Sequence, residues 1–230
     1  MKRTTPILLA LAGVFLASEA GALEVIVGLP YGKHAIGHTA VRVKTFDDDR
    51  EVIYDFGRYG DTWGYLGFHG EGVIRVWRGR KAIARYLRKQ TSYRSSVAFV
   101  INVTEEEEKA IYRYYEDKIS RTLWTRRYSR HVRHRLKQDY HGVTHQCTSV
   151  SLEGLKAVWP RQRWERLLDP RFNQGQGFNR KQREYFDSTQ EKLGINEVVV
   201  PLDVIDAMEH AKEANPDLIM AVRYYRKRKR

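Results

Sequence analysis

The sequence predicts an α+β fold. A mainly antiparallel sheet, opened by a histidine-bearing hairpin, packs against helices, with a cysteine at a helix N-terminus and a helical C-terminal third. Three observations carry that expectation. Strand-like runs bounded by turn residues recur through the first hundred residues. Apart from a short basic helix at Lys81–Lys89, helical patterns follow Thr104 and dominate from Arg161 onward. The single cysteine, Cys147, stands just before Thr148–Val158, a short helix with apolar Val150, Leu152, Leu155 and Val158. No internal repeat or linker divides the chain, so residues 23–230 read as one domain with a basic tail at 226–230.

The N-terminus reads as an export signal. Met1-Lys-Arg-Thr-Thr-Pro is a basic start, Ile7–Leu16 an apolar core too short to span a bilayer, and Ala20-Gly21-Ala22 a small-x-small cleavage pattern. The expectation is a signal peptide over residues 1–22 and a periplasmic or secreted chain from Leu23. Leu23-Glu-Val-Ile-Val-Gly is a first strand. His38–Lys44 alternates Thr39, Val41 and Val43 against Ala40 and Arg42, and Glu51–Phe56 follows the Phe46–Arg50 turn. Pairing Lys44 with Asp49 sets Arg42 opposite Glu51, Val41 opposite Val52 and His38 opposite Asp55.

Gly57–Gly72, rich in glycine and aromatics (Tyr59, Trp63, Tyr65, Phe68), reads as a long surface loop suited to a lid or substrate rim. Val73–Trp77 is a strand, Lys81–Lys89 a basic helix, and Ser96–Val103 the most apolar strand, expected at the centre of the sheet. Thr104 caps a helix beginning Glu105-Glu-Glu-Glu, with Ile111, Tyr114, Tyr115 and Ile119 on its buried side. Arg121–Lys137 is strongly basic, with Trp124 and Tyr128 interleaved. Asn179–Leu193 and Pro201–Ala214 are amphipathic helices, the second with Pro in its first turn. Leu218–Tyr225 leads into Arg226-Lys-Arg-Lys-Arg, read as a frayed tail drawn to anionic surfaces.

Charge narrows the partners. The chain carries 41 Lys and Arg against 28 Asp and Glu, a formal +13. Loss of Lys2, Arg3 and Glu19 with the signal leaves about +12. In an envelope compartment such a surface meets anionic lipid or cell-wall polymer, with peripheral membrane contact; the export signal argues against nucleic acid. A lone thiol sent to an oxidising space has no internal disulfide partner and needs burial or chemistry to account for it.

At a helix N-terminus a thiol is easily ionised. His38 is the candidate base, Asp55 across the hairpin its orienter, and the Cys147 amide an oxyanion donor. Two alternatives stay open. His131, His134, His141, His145 and Cys147 lie close in sequence and suggest zinc, although Arg130, Arg133, Arg135 and Lys137 among them would repel a cation. A non-enzymatic, basic envelope-binding protein with a buried structural cysteine is the other.

Gly37-His38-Thr39-Ala-Val-Arg-Val, Tyr54-Asp-Phe-Gly57 and Tyr140-His-x-x-Thr-x-x-Cys147-Thr resemble the circularly permuted papain-fold enzymes, in which the histidine strand precedes the cysteine helix. That group includes NlpC-like cell-wall peptidases and lecithin:retinol acyltransferase-like enzymes. The wording is nearest to the Lnb-type periplasmic transamidase domain. The resemblance implies a thiol-dependent acyl hydrolase or acyltransferase acting on an amide or ester of cell-wall peptide, lipid or lipoprotein, with no cofactor and no metal. It implies Cys147 as nucleophile and His38 as base, with Tyr140 lining the site and Tyr54 beside it. His145-Gln146 replaces the usual pair of asparagines; Gln146 retains a side-chain amide able to donate. The resemblance covers Gly37–Gly57 and Tyr140–Leu155.

Overall fold

The computed structural model describes residues 21–32, 35–46, 51–64 and 68–228. Most of the expected signal peptide, together with Asp49, Tyr65 and the last two residues of the tail, lies outside them. The fold is α+β, built on a nine-stranded antiparallel sheet with six α-helices among the described residues.

The strands are β1 (Gly21–Gly28), β2 (His38–Lys44), β3 (Glu51–Trp63), β4 (His69–Arg78), β5 (Ser96–Val103), β6 (Trp124–Arg127), β7 (Val132–Arg135), β8 (Tyr140–His141) and β9 (Ile219–Tyr225). Their order across the sheet is β6-β7-β4-β3-β2-β1-β5-β9, with β8 also pairing with β4. The helices are α1 (Arg80–Thr91), α2 (Glu105–Ser120), α3 (Cys147–Val158), α4 (Arg161–Leu167), α5 (Arg180–Leu193) and α6 (Pro201–Ala214).

Alternation along the strands sorts side chains to two faces. Val41, Val43, Val52, Tyr54, Phe56, Phe99 and Ile101 face the main core, which α2, α3, α4 and α6 close. Ile26, Ala40, Ile53, Trp77 and Ala98 face the other way, where α1 covers them with Ala82, Ile83 and Tyr86. A smaller cluster of Phe68, Val143, Phe186, Val199 and Val200 ties α5 to the tip of the β3–β4 hairpin and to the approach to α3.

Local chemistry sets the helix ends. Thr104 and Glu107 form a reciprocal capping box on α2, and Asn179 with Gln182 does the same on α5, which stops at Gly194 with φ of 62°. Two helices lock together through Tyr115. Its hydroxyl donates to the carbonyls of Val150 (3.1 Å) and Ser151 (2.7 Å) and accepts from Gly154 N (3.3 Å). A Cβ at Gly154 would come within 2.7 Å of the Tyr115 ring, so glycine is what lets α2 and α3 meet.

Four expectations about the sheet and α2 are corrected. The β2–β3 register is Lys44↔Glu51, Val43↔Val52, Arg42↔Ile53 and Val41↔Tyr54, two residues from the expected one; Arg42 still reaches Glu51, at 2.5 Å. The Gly57–Gly72 stretch is not a long loop, because β3 runs on to Trp63 and β4 starts at His69, with a bulge between Arg58 and Thr62. Its glycines serve close packing: a Cβ at Gly70 would meet Asp61 O at 2.8 Å, and one at Gly72 would meet Gln138 O at 2.5 Å. β5 lies one strand from the edge rather than at the centre, and is apolar because both its faces are covered. On α2, Tyr112 is buried where Tyr114 was expected; Tyr114 is half-buried and bonds Glu153.

The C-terminal third is helical only up to Ala214. Ile219–Tyr225, rich in β-branched and aromatic residues, forms β9 along β5. The tail is tied down as far as Arg228, since Lys227 N donates to Ser95 Oγ (2.9 Å) and Arg228 N to Thr91 O (2.8 Å). The basic stretch after α2 is a hairpin, β6–β7, at the far edge of the sheet.

Candidate active site

Cys147 is the first residue of α3, and Gln146 is its N-cap. The Gln146 carbonyl oxygen accepts from Thr148 N (2.8 Å) and from the Cys147 thiol (3.2 Å), while its amide nitrogen donates to Val199 O. The Gln146 side chain is therefore spent on the cap and on holding the segment before α6; it does not line the cleft.

β2 is fastened to α3 through one residue, Thr39. Its hydroxyl bonds that of Thr148 (2.9 Å), its carbonyl accepts from Ser151 Oγ (3.1 Å), and its backbone N–H bonds the Cys147 sulfur. His38, one position earlier, is thereby carried to the thiol.

His38 is gripped from its other side. Its Nε2 lies 2.5 Å from Asp55 Oδ1 and 3.2 Å from the Tyr59 hydroxyl. With Nε2 so occupied, Nδ1 is the nitrogen that remains for Cys147. Asp55 is 0% exposed and fully engaged. Oδ1 also accepts from Tyr59 OH (2.7 Å), and Oδ2 receives a fork from Arg75, Nε at 3.0 Å and Nη2 closer still. Arg75 sits directly across from Asp55 in the β3–β4 ladder, also donates to Tyr59 OH (2.7 Å), and lies 3.6 Å from the centre of the Tyr59 ring.

Electrostatics follow from these contacts. Burial would raise the Asp55 pKa, but Arg75 and His38 hold the carboxyl well below its usual range. Burial disfavours the His38 charge, yet Asp55 and Cys147 outweigh it and push the imidazole up to about 9. Burial likewise opposes the Cys147 thiolate, but His38, the Thr39 N–H and Arg94 bring the thiol below its ordinary value. Both shifts favour the thiolate–imidazolium form of the pair.

His38 and Cys147 lie in a cleft of about 600 Å³, whose walls include Tyr140, Phe68, Gly142 and, from the helical side, Gly177–Asn179 and Gln182. Tyr140 is buried there beneath Arg58, whose guanidinium carbon is 5.2 Å from the ring centre. The structure thus brings together Cys147, His38, Asp55 and Tyr140. Tyr54 points to the main core, stacked on Tyr115 at 4.6 Å and bonded to Glu116. His145 is buried against Phe56, its Nδ1 bonded to Asp139 O (2.8 Å). Neither lines the cleft.

His131 stacks on Trp77 and Tyr128, and His134 bonds Thr125. Among the described residues no group of three or more His, Cys, Asp or Glu side chains is placed to share a metal. Arg75 and Arg94 belong to this candidate site and were not named from the sequence, and Tyr59, expected only as part of a rim loop, bonds Asp55 instead. The signal for Arg75 was present: an arginine inside the apolar run Val73–Trp77 must find a buried counter-charge. No family model, curated protein or solved structure matches this chain. No helix among the described residues is long and apolar enough to cross a membrane.

Proposed function

We propose that the protein is a thiol-dependent acyl hydrolase or acyltransferase that attacks an amide or ester through a Cys147 acyl-enzyme. One observation carries the reading: the cleft holds a cysteine at a helix start against a histidine whose far nitrogen is fixed by a buried, arginine-locked aspartate. That is the nucleophile–base–orienter arrangement that acyl transfer requires.

The Cys147 thiolate attacks the carbonyl carbon and a C–S bond forms. The carbonyl electrons move onto oxygen, beside the Cys147 amide at the positive end of α3. As the C–N or C–O bond breaks, the leaving group takes the proton from His38 Nδ1. The neutral imidazole then accepts a proton from water or from an acceptor amine or alcohol, which attacks the thioester and expels the thiolate. Asp55 keeps its charge throughout and holds the ring.

The order of a histidine strand before a cysteine helix, and the placing of His38 beside Cys147, support a permuted papain-like arrangement. The basic charge of +13 and the export-like N-terminus support a lipid, lipoprotein or cell-wall peptide of the envelope as substrate.

Labelling of Cys147 by iodoacetamide near pH 6 tests the chemistry. The expected rate is far above that of the same thiol in the unfolded chain, and His38→Ala lowers it by about a hundredfold. A thiol inert until unfolding sinks the proposal in favour of a structural cysteine. Incubation of the protein with peptidoglycan and, separately, with phospholipid, with products read by mass spectrometry, separates amidase from lipid chemistry.

A further inference from the structure

Arg94 is 7% exposed yet faces the cleft that holds Cys147. Its Nε donates to Gln90 Oε1 (2.8 Å), an oxygen that also receives the Tyr93 hydroxyl (3.0 Å). The rings of Tyr31 and Tyr93 flank the guanidinium at 5.1 and 5.2 Å. Gly28, the strand partner of His38, makes room for it: a Cβ there would meet Arg94 Nε at 2.8 Å and Cζ at 2.9 Å. The side chain is thus held in place by four groups, none of them an acid, and among the described residues no carboxylate pairs with it. A guanidinium so deeply buried with no carboxylate to pair with is expensive. It is suited to bind an incoming oxyanion through its remaining N–H groups.

The surroundings agree. Arg58, Arg75 and Lys89 line the same cleft, and among the described residues no aspartate or glutamate does. Arg75 is neutralised by Asp55, but Arg58 and Lys89 have no carboxylate partner among the described residues. We infer that the substrate carries an anionic group, a carboxylate or a phosphate, which Arg94 receives, with Lys89 nearby, while the scissile carbonyl sits at Cys147. This rests on the thiolate reading above and adds the charge class of the substrate.

Iodoacetate and iodoacetamide are near-isosteric alkylating agents that differ by one charge, so the ratio of their rates at Cys147 is independent of the thiolate fraction. In the folded protein that ratio is expected about tenfold above its value in the unfolded chain. Arg94→Gln should remove most of the preference, Arg94→Lys retain much of it, and Lys89→Gln reduce it by a smaller factor. Lys89 is exposed, so its variant folds even if Arg94→Gln does not.

A folded-state ratio no higher than the unfolded one, or one unmoved by these substitutions, with fast iodoacetamide labelling near pH 6, overturns the anion site and leaves the nucleophile standing. Absence of iodoacetamide labelling overturns both. Protection of Cys147 by glycerol 3-phosphate or by N-acetylalanine identifies the anion as the phosphate of a lipid headgroup or the carboxylate of a peptide.

Discussion

Two buried aspartates, Asp55 and Asp203, are 0% exposed and are satisfied in opposite ways. Asp55 on β3 is surrounded by side chains that carry charge or can: Arg75, His38 and Tyr59. Asp203 on α6 accepts only backbone N–H groups, from Gln174 (2.9 Å), Gly175 (2.6 Å) and Gln176 (3.2 Å). Burial raises the Asp203 carboxyl above its ordinary value, and the three amides only partly offset this. Asp55 is driven the other way by full charges. The first carboxylate tunes a neighbouring proton; the second shapes a loop, which leads into the Gly177–Asn179 wall. Burial alone does not decide which way a carboxyl is pushed; its partners do.

The largest expected effect comes from breaking the charged cluster. Asp55→Asn leaves Arg75 buried without its counter-ion and should cost about 3 kcal/mol or more of stability in denaturant unfolding. It should also release His38 from its raised pKa and slow Cys147 alkylation by about a hundredfold. Asp203→Asn removes one acceptor oxygen from three amides, and a loss of about 1–2 kcal/mol is expected, with Cys147 alkylation near the wild-type rate. An equal loss of reactivity in both variants would erase the distinction between the two aspartates.

Acid titration sharpens it further. The lowered Asp55 contributes stability above the ordinary carboxylate pKa of 3.8, and that contribution is lost as pH falls through its folded value. The raised Asp203 behaves oppositely: its contribution is complete below 3.8 and is lost as pH rises through its folded value. From about pH 3 to 7, therefore, the stability gap between wild type and Asp55→Asn should widen, and that for Asp203→Asn should narrow. The smallest effect expected is that of Tyr59→Phe, about 1 kcal/mol, since the ring stays over Arg75 and only the hydroxyl bonds are lost.

The strand side of the site was legible in the sequence because its residues are near one another in the chain. The expected β2–β3 register was wrong by two residues, yet His38 and Asp55 still meet. A two-residue slip keeps every side chain on its own face and turns a direct pair into a diagonal one. A one-residue slip would have separated them. Gln146 stands next to Cys147 in the sequence, but its amide is occupied by Val199, a partner 53 residues away that no local pattern announces. Arg94 was invisible for a similar reason: its role depends on Gly28 and Tyr31, brought beside it by the β1–β5 pairing. The glycine-rich stretch misled in the other direction, because glycines that permit close strand contact look in a sequence like glycines that permit a loop.

The Tyr115 hydroxyl inside the backbone of α3 has a consequence for motion. It bonds two carbonyls and one amide of the helix that begins with Cys147, and it is itself anchored in α2. The middle of α3 cannot unwind without withdrawing a fully buried ring from the core. Amide protons from Ser151 to Leu155 are therefore expected to exchange with deuterium only through global unfolding, whereas those along the β6–β7 hairpin exchange through local opening. Cys147 is mounted on one of the least yielding parts of the molecule, and any give in the cleft falls to the opposite wall.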